Sequence, residues 1–288
     1  MKTQLYGCLL LVYIVTTTVF SPAKASEPLQ VMVSIRPQLY VVQQLGGEFV
    51  NVSSLLPKGA FPGVYEPTSK QMRDLSHVDV YIRIKVPYEI AWWEKIKATN
   101  PDMYVIDSTE GVGYIDEHRE KGADHHGRDP HIWLSTRQVR IQAENIYQGL
   151  ITVDPGHTAS YTAKKEAFLT LLDSLDATIQ TQLSDLKTRK FMIFHPAWSY
   201  FARDYNLEQI PIEIEGKEPS VKEMAAFIKL AQKEHITVLF VQPQTSLRSV
   251  NTIAKQIGAR VEILDPLAAD WKENLLHVTK ILAEALSK

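Results

Sequence analysis

Short apolar runs rich in valine and isoleucine alternate along the chain with longer amphipathic stretches. Eight such runs occur, at residues 31–35, 50–56, 78–84, 104–106, 191–194, 210–214, 238–241 and 261–264. Runs of this length between amphipathic segments are typical of strands that alternate with helices in parallel sheets. Because four runs come early in the chain and four come late, the pattern predicts an α/β protein with mostly parallel sheets in two lobes.

A long helical region lies between the two sets of runs. Asp154-Pro155-Gly156 interrupts it, and the apolar residues that follow recur close to the helical period of 3.6. These residues are Tyr161, Phe168, Leu172, Leu175 and Ile179. A helix over residues 158–186 would be about 43 Å long at 1.5 Å per residue. We therefore predict that a long rigid helix within residues 151–187 joins an N-terminal lobe, 26–150, to a C-terminal lobe, 188–288.

The first 25 residues have the pattern of an export signal. Lys2 provides a positive charge, residues 5–20 form an apolar stretch, and Ala23-Lys24-Ala25 matches a small-x-small cleavage site. The apolar stretch is shorter than the ~20 residues that a membrane-spanning helix needs. We therefore predict a cleaved signal peptide at residues 1–25 and a mature protein that folds outside the cytoplasm.

Charge and cysteine content narrow the chemistry. A formal net charge of −2 gives no basic surface for nucleic acid or anionic lipid, so nucleic-acid binding is not expected. The single cysteine, Cys8, lies within the predicted signal peptide, so the mature chain would contain no thiol. Any metal site would therefore depend on histidine, aspartate and glutamate.

A charged segment at residues 116–127 interrupts the alternation of strands and helices. It contains three of the nine histidines, His118, His125 and His126. Its polarity predicts a solvated loop. An ordinary polar loop and a loop that gathers metal ions weakly are both compatible with this composition.

Polar residues followed by proline mark the ends of several predicted strands. The pairs are His195-Pro196, Gln242-Pro243 and Asp265-Pro266, and Asp129-Pro130-His131 precedes a helix. Proline keeps the residue before it extended and is accepted in the first turn of a helix, so these pairs indicate sharp exits from strands. Open α/β sheets bind ligands beyond the carboxyl ends of their strands. We therefore expect His195 and Asp265 on the cleft rim of the second lobe, with His131 facing them from the first.

Imidazole and carboxylate groups that converge without thiols suit zinc in tetrahedral geometry. Manganese or ferrous iron would draw more oxygen ligands. A single histidine at the end of a strand is, however, more often a hydrogen-bonded structural residue than a metal ligand. The residues alone therefore leave both interpretations of His131 and His195 open.

Several short sequence blocks occur together in one order along the mature chain. They are Val33-Ser34-Ile35-Arg36-Pro37 with Leu45-Gly46-Gly47, Tyr65-Glu66-Pro67-Thr68, Asp129-Pro130-His131-Ile132-Trp133-Leu134, Phe194-His195-Pro196-Ala197, Glu215-Gly216-Lys217-Glu218-Pro219-Ser220, Pro243-Gln244 and Leu264-Asp265-Pro266-Leu267. From Val31 onward this pattern resembles the ABC-transporter substrate-binding proteins that collect zinc or manganese, and among them the periplasmic zinc-binding proteins.

The resemblance implies two α/β lobes joined by a long rigid helix, with one Zn²⁺ in the cleft between them. It implies His131, His195 and Asp265 as the metal ligands. Manganese-binding members tend to have glutamate where His195 stands, which favours zinc over manganese. The resemblance also implies a periplasmic monomer, without catalytic activity, that delivers Zn²⁺ to an inner-membrane ABC permease. The loop at residues 116–127 resembles a shortened form of the family's histidine-rich loop.

The sequence departs from the family pattern at one ligand position. Family members usually read Gly-Ala-Asp-Pro-His before Tyr-Glu-Pro, whereas this chain reads Gly59-Ala60-Phe61-Pro62-Gly63. Gly63 therefore stands where the family has its first metal ligand. Water, Glu66 or a histidine from the 116–127 loop would have to complete a four-coordinate shell.

Three alternatives follow from this departure. The chain would bind manganese or iron, or it would be a metal-free, adhesin-like derivative of the fold. As a third alternative it would be a zinc hydrolase with Glu66 as general base. The sequence contains neither a helical His-Glu-x-x-His motif nor a nucleophile elbow, which argues against the hydrolase.

Overall fold

Parallel β-sheets flanked by helices form both halves of the protein. The computed structural model describes residues 27–115, 127–213, 220–245 and 247–287, so the predicted signal peptide and residues 116–126 of the histidine-bearing loop lie outside it. Each half contains one four-stranded sheet. The predicted α/β class with two mostly parallel sheets is confirmed. Within the described ranges, no helix is both long and apolar enough to cross a membrane.

The two sheets have the same topology. The first has the order β2-β1-β3-β4 and the second the order β6-β5-β7-β8, and all neighbouring strands are parallel. The strands are β1 (Leu29–Val33), β2 (Val50–Ser54), β3 (Val80–Arg83), β4 (Tyr104–Asp107), β5 (Lys190–Ile193), β6 (Glu208–Pro211), β7 (Val238–Val241) and β8 (Arg260–Ile263). The strand order reverses between β1 and β3 and between β5 and β7. In open α/β sheets, ligands bind beyond the carboxyl ends of the strands at such a point.

Helices cover the sheets and connect the halves. They are α1 (Pro37–Gly46), α2 (Ser69–Leu75), α3 (Pro87–Thr99), α4 (Thr136–Val153), α5 (Thr158–Gln182), α6 (Ser199–Asp204), α7 (Val221–Lys233), α8 (Leu247–Ile257) and α9 (Trp271–Leu286). Proline at the start of α1 and of α3, and a capping box between Thr68 and Gln71 at α2, fix where these helices begin.

The long helix α5 is shorter than the sequence predicts. The predicted end at residue 186 is wrong, because α5 ends at Gln182. Leu183 turns into the core, and the backbone N–H groups of Lys187 and Thr188 then bond to the carbonyl of Leu286 in α9 at 3.0 and 3.2 Å. The 25 residues of α5 span about 37 Å. The break before it is a single 3-10 turn, Pro155–His157.

Beside a smaller core within the C-terminal half, one large hydrophobic core extends through both halves. It includes Val31 of β1, Phe168 of α5, Ile193 of β5 and Leu275 of α9. The last helix, α9, packs against α5 and also against α1 of the first half. Since moving one half against the other would open this shared apolar interface, the packing favours a fixed arrangement of the two lobes.

Two buried tryptophans join the halves by hydrogen bonds. The indole N–H of Trp133 donates to the carbonyl of Pro266 at 2.6 Å. The indole N–H of Trp271 donates in turn to the carbonyl of Trp133, also at 2.6 Å. Both side chains are almost completely buried. These bonds connect the segment after His131 to the segment after Asp265.

A fully buried carboxyl group lies inside the first lobe. The Oε1 atom of Glu89 accepts a 2.5 Å hydrogen bond from the Ser34 hydroxyl, and its Oε2 accepts the backbone N–H groups of Ile84 and Lys85. Lys85 has a left-handed φ of 61°, so these bonds hold a strained turn at the end of β3. Burial raises the pKa of Glu89 above its ordinary value of 4.5, and the hydrogen bonds only partly oppose this.

The raised pKa predicts a pH-dependent contribution of Glu89 to stability. A carboxyl whose folded pKa is raised stabilises the fold below its unfolded pKa and loses that contribution as pH rises through the folded pKa. In Glu89→Gln, which keeps the shape but cannot ionise, this dependence should disappear. The free energy of unfolding of the wild type should therefore fall, relative to the variant, by up to about 1.4 kcal/mol per pH unit. Urea unfolding of both proteins at a series of pH values measures the difference, and parallel profiles would contradict it.

Candidate metal centre

The two predicted histidine ligands lie side by side. His131 directly precedes a 3-10 helix, Ile132–Leu134, and His195 follows the end of β5. Their ring centroids are 5.3 Å apart and the rings meet edge to face at 71°. The side chains remain 16% and 15% exposed, so a solvent ion can reach them. The structure thus brings together one imidazole from each half of the chain.

A carboxylate fixes the orientation of each imidazole. The Nδ1 atom of His131 lies 2.8 Å from Oδ1 of Asp129, and that of His195 lies 2.7 Å from Oε2 of Glu213. Both carboxylates are largely buried, at 7% and 10% exposure. Because Nδ1 is engaged in each ring, Nε2 is the nitrogen left to bind a metal. This arrangement of carboxylate, histidine and open Nε2 is typical of zinc sites.

Hydrogen bonds hold Asp129 in place as an ionised group. Burial by itself would raise the pKa of Asp129, but the charge of His131 and hydrogen bonds from its ring and backbone N–H outweigh burial and lower that pKa below 3.8. The Tyr200 hydroxyl donates to the Asp129 carbonyl at 2.7 Å, which fixes the backbone there. An ionised neighbour makes the imidazole a stronger electron donor to a cation.

The supporting roles of Asp129 and Glu213 are absent from the sequence-based prediction. For Asp129 a signal existed, since in Asp-Pro-His the aspartate stands two residues before the histidine. Glu213 meets His195 because β6 pairs with β5 in a register that places Ile193 opposite Pro211. If this register is continued by two residues along each strand, His195 lies opposite Glu213. Only the strand pairing reveals this contact.

Asp265, the third predicted ligand, lies on a loop tied to the first lobe. Its Oδ1 accepts the backbone N–H of Leu267 at 2.8 Å, and its carbonyl accepts the side-chain amide of Asn274 at 2.8 Å. The next residue, Pro266, accepts the indole N–H of Trp133. In the part of the chain that the structure describes, no three or more His, Cys, Asp or Glu side chains are already grouped to hold an ion. The histidines therefore form a pair, and the Asp265 carboxylate does not complete a triad as it stands.

Aromatic rings form two walls of the histidine pair. The ring of Trp133 lies 5.2 Å from that of His131, and the ring of Phe61 meets His195 edge-on at 5.5 Å. Glu66, a candidate fourth ligand, is exposed on the same loop as Phe61. The histidines at 118, 125 and 126 lie outside the described residues. The walls restrict approach to the imidazoles and exclude water from part of their surface.

Comparison with known proteins identifies the family. Residues 31–286 match the family model described as ZnuA, zinc-uptake complex component A periplasmic. The zinc-binding lipoprotein AdcA of Streptococcus pneumoniae strain R6 is 28% identical over 264 residues, covering 87% of this chain and 52% of that protein. The chain thus spans about half the length of this curated relative.

Solved structures of ZnuA are similar over almost the whole chain. A crystal structure of ZnuA has 43% sequence identity and a TM-score of 0.86, covering 90% of this chain and 100% of that chain. A deletion mutant of ZnuA with zinc bound has 43% identity and a TM-score of 0.84, with coverage of 91% and 99%. The family match over residues 31–286, together with this fold, shows that the chain belongs to the ZnuA family of periplasmic zinc-uptake components.

Proposed function

We propose that this protein captures Zn²⁺ in the periplasm and delivers it to an inner-membrane ABC permease. The observation that carries the proposal is the pair formed by His131 and His195, whose rings meet edge to face with Nδ1 fixed by buried carboxylates. Asp265, two residues after the end of β8, would supply the third ligand. Oδ1 of Asp265 already accepts the backbone N–H of Leu267, so Oδ2 is the oxygen that Asp265 would offer to the ion.

Zinc fits this donor set better than manganese does. Two imidazole nitrogens and one carboxylate oxygen are typical zinc ligands, whereas manganese favours mainly oxygen donors. The similar proteins AdcA and ZnuA are named for zinc binding or zinc uptake, which supports the same cargo here. With a cation bound at Nε2 of both rings, the carboxylates of Asp129 and Glu213 would lie at Nδ1, on the far side of each ring from the cation.

Zinc capture would require little movement of the lobes. The shared core and the bonds of Trp133 and Trp271 already hold the segments of His131 and Asp265 together. The ligands must be neutral imidazole and ionised carboxylate, so binding releases any proton that they carry.

Isothermal titration of the metal-free protein, residues 26–288, tests the function. Zn²⁺ should bind at one tight site, and Mn²⁺ should bind much more weakly. Absence of heat with both metals would contradict metal transport and favour the metal-free alternative. Hydrolysis of ester or peptide substrates by the zinc-loaded protein would instead support an enzyme, whereas the family consists of transport components.

The buried carboxylates should determine the affinity of the site. In Asp129→Asn and in Glu213→Gln, the imidazole loses its anionic partner, and we expect zinc Kd to rise by about 10- to 100-fold in each. Competition with a chelator of known affinity measures Kd. Asp154→Asn is a matched control, because Asp154 bonds to His157 in the same way at 2.7 Å, away from the site. Unchanged zinc affinity in Asp129→Asn and Glu213→Gln would show that these carboxylates do not support the metal ligands.

A further inference from the structure

A side chain on residue 63 would meet the ring of Phe61. Four glycines of the described residues have positive φ angles, namely Gly47, Gly59, Gly111 and Gly258, and Gly63 is not one of them. Its backbone therefore suits an ordinary L-residue. A Cβ atom at this position would lie only 2.6 Å from Cε1 of Phe61 and 3.2 Å from Cδ1 and Cζ. The Phe61 ring fills the volume into which a side chain at residue 63 would extend.

The loop that carries Phe61 is firmly anchored. The backbone N–H of Val64 donates to the carbonyl of Phe61 at 3.3 Å, which closes a turn over Pro62 and Gly63. The carbonyl of Pro62 accepts the backbone N–H of Tyr88 at 3.0 Å, at the start of α3. Tyr65 packs edge-on against the Tyr88 ring, with centroids 5.4 Å apart. The position of the loop beside the metal centre is thus set by the first lobe.

Phe61 connects the position of Gly63 to the histidine pair. Its half-buried ring lies between the space over Gly63 and the ring of His195, which it meets edge-on at 85°. An imidazole on residue 63 would have to occupy the volume of this ring in order to approach an ion bound to His195. A phenyl ring has no lone pair to donate and cannot replace a ligand.

We propose that Phe61 occupies the space that a ligand side chain on residue 63 would need, and thereby excludes residue 63 from the metal site. The inference rests on zinc binding by His131, His195 and Asp265, as proposed above. The fourth coordination position is then left to water or to Glu66. Phe61 is the residue that keeps position 63 out of the ligand set, because its ring lies where a side chain on residue 63 would begin.

A double-mutant cycle tests this inference with four proteins: wild type, Phe61→Ala, Gly63→His, and the double variant. Zinc Kd is measured for each by chelator competition. In the wild-type background, Gly63→His should change Kd by less than about threefold, because the new side chain must displace the Phe61 ring. In the Phe61→Ala background the same substitution should tighten binding by at least about tenfold.

X-ray absorption at the zinc edge gives a second readout, the number of imidazole ligands. It should be two in the wild type and three in the double variant. Val64→His, made in both backgrounds, is a matched control, because Val64 is 80% exposed and its side chain faces solvent. Thermal unfolding of each variant checks that the fold is retained.

Equal gains from Gly63→His in both backgrounds would overturn the role of Phe61. Three imidazoles in the wild-type protein would also overturn it, because another histidine would then complete the shell. If the wild type does not bind zinc, the proposed function itself fails. Zinc binding without coupling between residues 61 and 63 refutes the present inference alone.

Discussion

Replacement of His195 by alanine should raise the zinc Kd by more than about 100-fold, since removal of a direct ligand should exceed the loss from removing a supporting carboxylate. The variant keeps only His131 and Asp265 as predicted ligands. It also leaves Glu213, which is 10% exposed, without the imidazole that it now contacts at 2.7 Å. Chelator competition measures the loss of affinity, and circular dichroism shows whether the fold survives.

Two other histidines provide comparisons for His195→Ala. His77 lies exposed on the first lobe just after α2, so His77→Ala should leave the zinc Kd unchanged. His125→Ala, in the charged loop, should cost less affinity than His195→Ala. Equal losses from His125→Ala and His195→Ala would mean that the loop belongs to the primary site.

Trp271→Ala should lower the free energy of unfolding by about 4 kcal/mol, as expected for truncation of a large buried aromatic side chain. Trp271 is 1% exposed and packs against the Tyr40 ring at 5.9 Å. Its indole N–H also bonds to the carbonyl of Trp133. The substitution therefore creates a cavity and removes one hydrogen bond between the halves. Urea unfolding followed by circular dichroism measures the change.

Two further tryptophan variants separate packing from hydrogen bonding. Trp271→Phe keeps most of the apolar volume but leaves the buried Trp133 carbonyl unpaired, which should cost about 1 to 3 kcal/mol. Trp92→Ala, at a half-buried position on α3, should cost much less than Trp271→Ala. If Trp92→Ala and Trp271→Ala lower the free energy of unfolding by similar amounts, the contact between the halves contributes no more to stability than a half-buried side chain does.

The alternation of apolar runs was sufficient to predict the fold. All eight predicted strands occur. The signal is clearest in buried strands such as Val238–Val241, which are apolar on both faces. The strand predicted at residues 210–214 instead begins at Glu208, where pairing with β5 determines its limits. The end of α5 was missed for a similar reason. Leu183 fits the helical pattern, but contacts with α9 end the helix there.

The candidate site was predicted only in part. His131 and His195 meet as the sequence pattern suggested, while the three residues as a ligand set stay a prediction. Glu213 was missed because its contact depends on the register of two strands that are distant in sequence. The sequence showed that Gly63 lacks a ligand side chain. Only the structure shows that the Phe61 ring occupies the space beside it.

A crystal structure of the zinc-loaded protein, with anomalous scattering recorded on both sides of the zinc edge, tests the central claim most directly. One anomalous peak should lie about 2.0 to 2.2 Å from Nε2 of His131, Nε2 of His195 and a carboxylate oxygen of Asp265. A peak elsewhere, or one that these three side chains do not share, would contradict the account.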